Sequence, residues 1–222
     1  RTLLRSDGTT SERTRAALDL AMARGAHVIA VTARPIRWLD RLTSCFGQLP
    51  HVIASNGAAC YDLATAYAYD FRAFDAGTLP QLLKDVRAAL PTARFALETP
   101  TGMFREPDYV LSPFDLDEDD PGRRVVGYDD LSGSLDGAPL LKIVVADRER
   151  LSAEMFAEAL PAVGELVHLT YSTDRGPPGT RPPQVNKATA PALLGSGRGI
   201  DGADGRAAGG MPNARPGAAR GG

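Results

Sequence analysis

Apolar residues recur at helical spacing at Ala17, Leu18, Ala21 and Met22, directly behind Thr10 and Ser11, which are good helix N-caps. Gly25 supplies the stop. Residues 27–32 (HVIAVT) then form a short β-branched run without alternation, the pattern of a strand covered on both faces. Pro35 opens a second helix carrying Trp38, Leu39, Leu42 and Phe46. A further strand, 51–54, ends at Ser55-Asn56-Gly57. Helix, strand, helix, strand at this spacing predicts an α/β fold with a doubly wound parallel sheet.

The middle of the chain changes character. Residues 61–70 predict a hairpin, 78–90 a helix, and 94–98, 104–112 and 140–146 strands. A helix over 148–160 and a strand over 165–171 follow. This α+β block reads as a separate domain inserted into the first. The expected division is 1–58 for the parallel-sheet core, 59–178 for the insert and 179–222 for the return to the core. Past Asp174 the chain becomes rich in Gly, Pro, Ala and Arg, which reads as low complexity or disorder. One helical stretch, 187–194, survives there, with Pro191 to kink or shorten it. Nothing later has the apolar run of a core strand.

Composition narrows the function classes. A chain of 222 residues can bury a core and hold one large or two small domains. The net charge of -2 gives no reason to expect nucleic acid or a membrane surface as partner. The longest apolar stretches, 28–31 and 140–146, are too short to span a bilayer. Cys45 and Cys60 make no disulfide framework and read as reduced thiols of a cytoplasmic protein without a secretory leader. The first residue is Arg1 rather than methionine, from which upstream sequence is expected to have been lost or left out.

Three segments carry candidate chemistry. Thr32, in Val31-Thr32-Ala33-Arg34-Pro35, places a hydroxyl at the carboxyl end of a parallel strand, facing the crevice where such sheets bind ligands. The helix start behind it offers N–H groups to an anion, and the same hydroxyl could simply cap that helix. Ser55-Asn56-Gly57-Ala58 also ends a strand, either as a bare turn or as a corner that presents an amide to a ligand. Lys187 stands at a helix start, where the dipole disfavours a cation, so it either serves another charge or is a solvated surface lysine.

Taken in order, these motifs resemble the Cof-like phosphatases (type IIB) of the haloacid dehalogenase superfamily. Thr2-Leu3-Leu4-Arg5-Ser6-Asp7-Gly8 and Ser11-Glu12-Arg13-Thr14 are similar to the stretch that follows that family's Asp-x-Asp-Gly-Thr strand. Thr32 to Pro35 resembles the second motif, Thr-Gly-Arg-Pro, with Ala33 in place of glycine. Ser55 to Ala58 resembles the Ser-Asn-Gly-Ala segment that leads into the cap domain, and 140–145 resembles a cap strand. Val185-Asn186-Lys187-Ala188 resembles the third motif, whose lysine holds the phosphoryl group. Met211-Pro212-Asn213 resembles the middle of the fourth, Gly-Asp-x-x-Asn-Asp.

The resemblance implies a Rossmann-like core with an inserted α+β cap, Mg²⁺ as cofactor and a small phosphorylated metabolite as partner. It implies that Thr32 and Lys187 contact the phosphoryl group, with Arg34, Asn56, Gly57 and Asn213 around the substrate. In the family an aspartate attacks phosphorus, and a second, two residues on, serves as general acid and base. Both would precede Arg1, which stands where the family has glycine. Gly210 and Ala214 stand where the fourth motif has magnesium-binding carboxylates. The chain as written is therefore expected not to turn over, and the alternative is a non-catalytic remnant or a binder of phosphorylated ligands.

Three look-alikes are set aside. Asp7-Gly8-Thr9 ends like the first motif but leaves only Arg1 to Leu4 for a strand, so it reads as a turn. Asp115 to Asp120 lacks the glycine and bidentate glutamate of a calcium loop. Gly195-Ser196-Gly197-Arg198-Gly199 follows a helix rather than a strand and is no dinucleotide site. Open sheet edges are expected in the core, and a protease-resistant piece of roughly residues 61–171 is expected from the insert.

Overall fold

A computed structural model describes residues 9–39, 49, 51–111, 122–171, 179–183 and 185. The fold is α/β, and contacts divide the chain into two compact units, Arg1–Phe71 with Asn186–Gly222, and Arg72–Val185. Among the described residues no helix is long and apolar enough to cross a membrane.

In the first unit, helix α1 (Glu12–Ala23) starts where Ser11 Oγ accepts the Thr14 N–H at 3.0 Å, and Glu12 complements the dipole in its first turn. Gly25, at φ +87°, lets the chain turn away from it. Leu18 and Met22 pack on the core, whereas Ala17, expected on the same face, is exposed. Strand β1 (Ile29–Val31) lies parallel to β2 (His51–Ala54), and β3 (Ala59–Asp62) and β4 (Tyr67–Tyr69) continue the sheet antiparallel in the order β1-β2-β3-β4. One face carries Val52, Ala54 and Tyr61 against Leu39 and Leu49, and the other carries Ile53 and Cys60 with Ile29, Val31 and Tyr69.

Several expectations change here. Strand β1 is half-buried rather than fully buried, with Ala30 packed on one face and Ile29 and Val31 on the other, and among the described residues it pairs with β2 alone. Pro35 is followed by a single tight turn, Ile36–Trp38, and the expected helix through Leu42 and Phe46 lies outside the described residues. The hairpin assigned to the insert belongs to the first unit, because Val52 pairs with Tyr61 and Ile53 with Cys60. The division therefore falls after Phe71 rather than after residue 58.

The second unit contains α2 (Leu79–Ala89), β5 (Arg94–Glu98), β6 (Met103–Arg105) and β7 (Arg123–Val125). Strand β8 (Lys142–Ala146), α3 (Ser152–Val163), β9 (His168–Thr170) and β10 (Gly179–Arg181) complete it. The six strands run in the order β7-β6-β5-β8-β10-β9. One face of this sheet packs Phe95, Leu97, Phe104, Ile143 and Val145 against Leu82, Leu83 and Val86 of α2 and Met155 and Ala159 of α3. The opposite face holds a smaller cluster of Ala96, Met103, Tyr109, Val144 and Ala146.

Strands β7 and β10 were not expected. Their sequences, Arg-Arg-Val and Gly-Thr-Arg, carry no apolar pattern, yet β10 is buried between β8 and β9. Residues 179–181 form a strand of the second unit's sheet, and that unit runs to Val185.

The core of the second unit encloses an ion pair. Arg87 Nη2 donates to both carboxylate oxygens of Glu106, at 2.7 and 2.6 Å, and its guanidinium lies 4.8 and 4.5 Å from the rings of Phe95 and Tyr128. Glu106, 5% exposed, also accepts the Phe95 N–H at 2.7 Å. This demand on Glu106 ends β6 at Arg105, short of the expected 112.

Two measurements check this architecture. The fragment 72–185 should unfold cooperatively in urea, whereas 72–171, which lacks β10, should not. Arg87→Met strands a buried carboxylate and should cost about 3 kcal/mol in a urea titration of the whole chain.

Candidate functional site

The carboxyl ends of β1 and β2 lie side by side because the two strands are parallel and in register from Ile29 with His51. Beyond the strands the backbone stays paired. Thr32 N–H donates to Ile53 O at 2.9 Å, Asn56 N–H to Thr32 O at 2.9 Å, and Ser55 N–H to Arg34 O at 3.0 Å. The loop carrying Thr32 and Arg34 is thereby laced to the corner carrying Ser55, Asn56 and Gly57. Sequence had proposed those segments separately, and the fold brings them together.

That corner is a turn of unusual backbone. Ser55, Asn56 and Gly57 take φ of +48°, +60° and +111° in succession. Glycine adopts such angles freely and asparagine tolerates them, but serine does so at a cost of order 1 kcal/mol. Ser55 and Asn56 are 1% and 2% exposed, and Ser55 Oγ is buried without a hydrogen-bond partner. A strained, buried, polar corner calls for an explanation beyond chain reversal.

Thr32 Oγ1 accepts the Arg34 N–H at 3.1 Å. The local capping role and the ligand role are compatible, since a hydroxyl that accepts one bond still has its proton to donate. Thr32 and Arg34 are both half-buried. The described segment after Pro35 is one turn long, Ile36–Trp38. Lys187 and Asn213 lie outside the described residues, as do Asp115 to Asp120 and Gly195 to Gly199.

The donors described here are hydroxyls, amides and a guanidinium. None is a carboxylate, and no group of three or more His, Cys, Asp or Glu that could hold a metal occurs among the described residues. This donor set does not fit Mg²⁺, which takes hard oxygen ligands with one or two carboxylates.

A second polar group, which sequence reasoning passed over, sits at the other end of β2. His51 Nδ1 lies 3.7 Å from Asp62 Oδ2 and 3.4 Å from Tyr69 Oη, while Cys60 Sγ, 3.7 Å from Asp70 Oδ2, lies nearer the carboxyl end of β2 in register with Ile53. Only the register of β2, β3 and β4 reveals it. The Thr65 N–H, with that of Ala64, holds the Asp62 carboxyl below its usual range. Asp62 thus closes the turn between β3 and β4, a structural task.

The sequence profile of haloacid dehalogenase-like hydrolases matches residues 1–213. No curated protein sequence matches the chain. Among solved structures, a haloacid dehalogenase-like hydrolase from B. subtilis superposes with a TM-score of 0.77 at 14% identity, covering 98% of this chain and 83% of that one. A phosphatase of the haloalkanoate superfamily from Bacteroides thetaiotaomicron gives 0.73 at 20% identity, over 96% of this chain and 75% of that one. A subclass IIB sugar phosphatase gives 0.66 at 13% identity, over 91% and 74%. The Rossmann-like α/β fold expected from sequence is the fold these structures share.

The corner makes a direct prediction. Ser55→Gly should raise stability by about 0.5–1 kcal/mol, and Ser55→Val should lower it by more than about 2 kcal/mol. Urea denaturation of the two variants measures both, and equal effects would contradict the left-handed assignment.

Proposed function

The chain belongs to the haloacid dehalogenase-like hydrolases, and on that premise we propose that its chemistry is that of the Cof-like branch, hydrolysis of phosphate monoesters of small metabolites. Sugar and nucleotide phosphates are the substrates in view. The supporting observation is the lacing of 32–34 to 55–56, which sets the Thr32 hydroxyl beside a buried, strained corner at the carboxyl edge of a parallel strand pair.

In this proposal the Thr32 O–H donates to a phosphoryl oxygen while its lone pair keeps the Arg34 N–H. Arg34, Asn56 and Gly57 line the substrate, and Asn213 approaches from the fourth motif. Lys187 supplies the countercharge, and an ammonium at about 4 Å from phosphate contributes about 4 kcal/mol at an effective dielectric near 20. The second unit is the cap that selects the substrate.

Hydrolysis divides into two displacements. A carboxylate attacks phosphorus, the alcohol leaves with a proton from the neighbouring acid, and water then releases orthophosphate from the aspartyl-phosphate. None of the 222 residues is assigned as that carboxylate, because in the resemblance the aspartates stand before Arg1. The family's Mg²⁺ would neutralise charge on the phosphate. Gly210 and Ala214 at the fourth-motif positions favour a second reading, in which the chain holds phosphorylated ligands without cleaving them.

Calorimetric titration of the 222-residue chain with hexose phosphates and nucleoside monophosphates tests the proposal. Saturable binding is expected, weakened about tenfold or more (~1.4 kcal/mol) by Thr32→Val and by Lys187→Met. Absence of binding across the panel defeats it. Turnover to orthophosphate by this same chain would place a nucleophile among its own residues and remove the second reading.

A further inference from the structure

The two edges of the second unit's sheet are unlike. One is β7, Arg123-Arg124-Val125, and the other is β9, His168-Leu169-Thr170, which among the described residues is laddered on β10 alone. Both strands are three residues long, so length does not distinguish them. Charge does. A charged side chain on an edge strand discourages a second strand from adding there, and Arg124 of β7 is exposed. Strand β9 carries no permanent charge. Burial, and then the charge of Arg181, lowers the pKa of His168 and keeps its ring neutral at neutral pH.

Strand β9 also has apolar cover beside it. Alternation turns Val167, Leu169 and Tyr171 toward the helices, where Val167 and Leu169 join the main core. The ring of Tyr171 meets that of Phe156 on α3, with centroids 5.5 Å apart. Phe156 and Leu160, four residues apart, share one stripe of that helix, and the Tyr171 contact places the stripe on the β9 side. Leu160 is nevertheless 45% exposed, and Leu166, in the turn that leads into β9, is 52% exposed. An open strand edge and an uncovered apolar stripe therefore adjoin. The neighbouring acids of α3 are engaged locally, Glu158 with Arg150 and Glu154 with the Leu151 N–H at 3.1 Å.

We propose that this edge is a contact surface between two copies of the chain, with β9 pairing antiparallel to the β9 of a second copy about a twofold axis at Leu169. The register sets Leu169 against Leu169, His168 against Thr170 and Val167 against Tyr171, so no like charges are opposed. Glu165 precedes Val167 and lies beyond the paired segment. On the helix side, Val167, Leu169 and Tyr171 of both copies form one apolar row, and the Phe156 and Leu160 stripe of each copy covers the strand of the other. The same operation at β7 would set Arg124 against Arg124, which is repulsive. A strongly charged peptide would meet no countercharge on β9, whereas a second copy matches its neutrality. The surface lies wholly within the second unit and does not depend on the phosphoryl chemistry proposed for the first.

Sedimentation equilibrium and hydrogen exchange on the whole wild-type chain test the proposal. A dimer is expected with a dissociation constant of about 10 µM or tighter, and with little dependence on salt. Amide exchange within 166–171 should slow about threefold or more as monomer converts to dimer, while exchange within 123–125 should not change. Leu160→Lys, at a position already exposed, should weaken the dimer about tenfold or more, and Val125→Lys on β7 should leave it intact. A chain that stays monomeric at about 100 µM overturns the proposal and leaves the edge to an unlike partner. A dimer that protects other segments but not 166–171 overturns it equally, as does one that Leu160→Lys does not weaken.

Discussion

Every backbone N–H and C=O that leaves a sheet must find a partner, and the most consequential solution here is the lacing beyond β1 and β2. Three bonds tie 32–34 to 53–56. Each is worth about 1 kcal/mol net, comparable to the strain of holding Ser55 left-handed, so the corner persists only because the loop opposite it is equally fixed. The positions of the Thr32 hydroxyl and the Asn56 amide are thus one property of the fold rather than two. A change in either loop is transmitted to the other through main chain, without a side-chain intermediary.

The second unit handles buried charge in two contrasting ways on the two faces of one sheet. Toward the helices, Arg87 and Glu106 neutralise each other within a forked pair framed by Phe95 and Tyr128. That arrangement is closed, with its donors and acceptors spent on protein groups. On the opposite face, the buried Arg181 donates from Nη2 to the Thr170 hydroxyl, and the Lys142 side chain lies across Gly179.

Sequence disclosed the elements whose local chemistry agrees with their surroundings. Ser11 announces α1, the β-branched run at 51–54 announces β2, and Leu79, Leu82, Leu83 and Val86 announce α2. It was silent on β10, because Gly179 and Arg181 are chosen for what lies across them rather than for strand propensity. It announced β1 but overstated its depth of burial, which depends on neighbours that a run of β-branched residues does not specify. Thr32, Arg34, Asn56 and Gly57 were legible as separate motifs, while their adjacency and the left-handed corner required register and backbone angles. Lys187 rests on its place at an expected helix start together with the resemblance, and Asn213 on the resemblance alone.

The strand order β8-β10-β9 also bears on how the chain emerges from a ribosome. Strand β9 precedes β10 in synthesis, yet among the described residues its only sheet partner is β10. His168 to Thr170 must therefore wait, with their ladder groups unpaired, until Arg181 has cleared the exit tunnel. The nascent polypeptide is open to wrong strand pairing for that interval, and a chaperone that shields an exposed edge would act there.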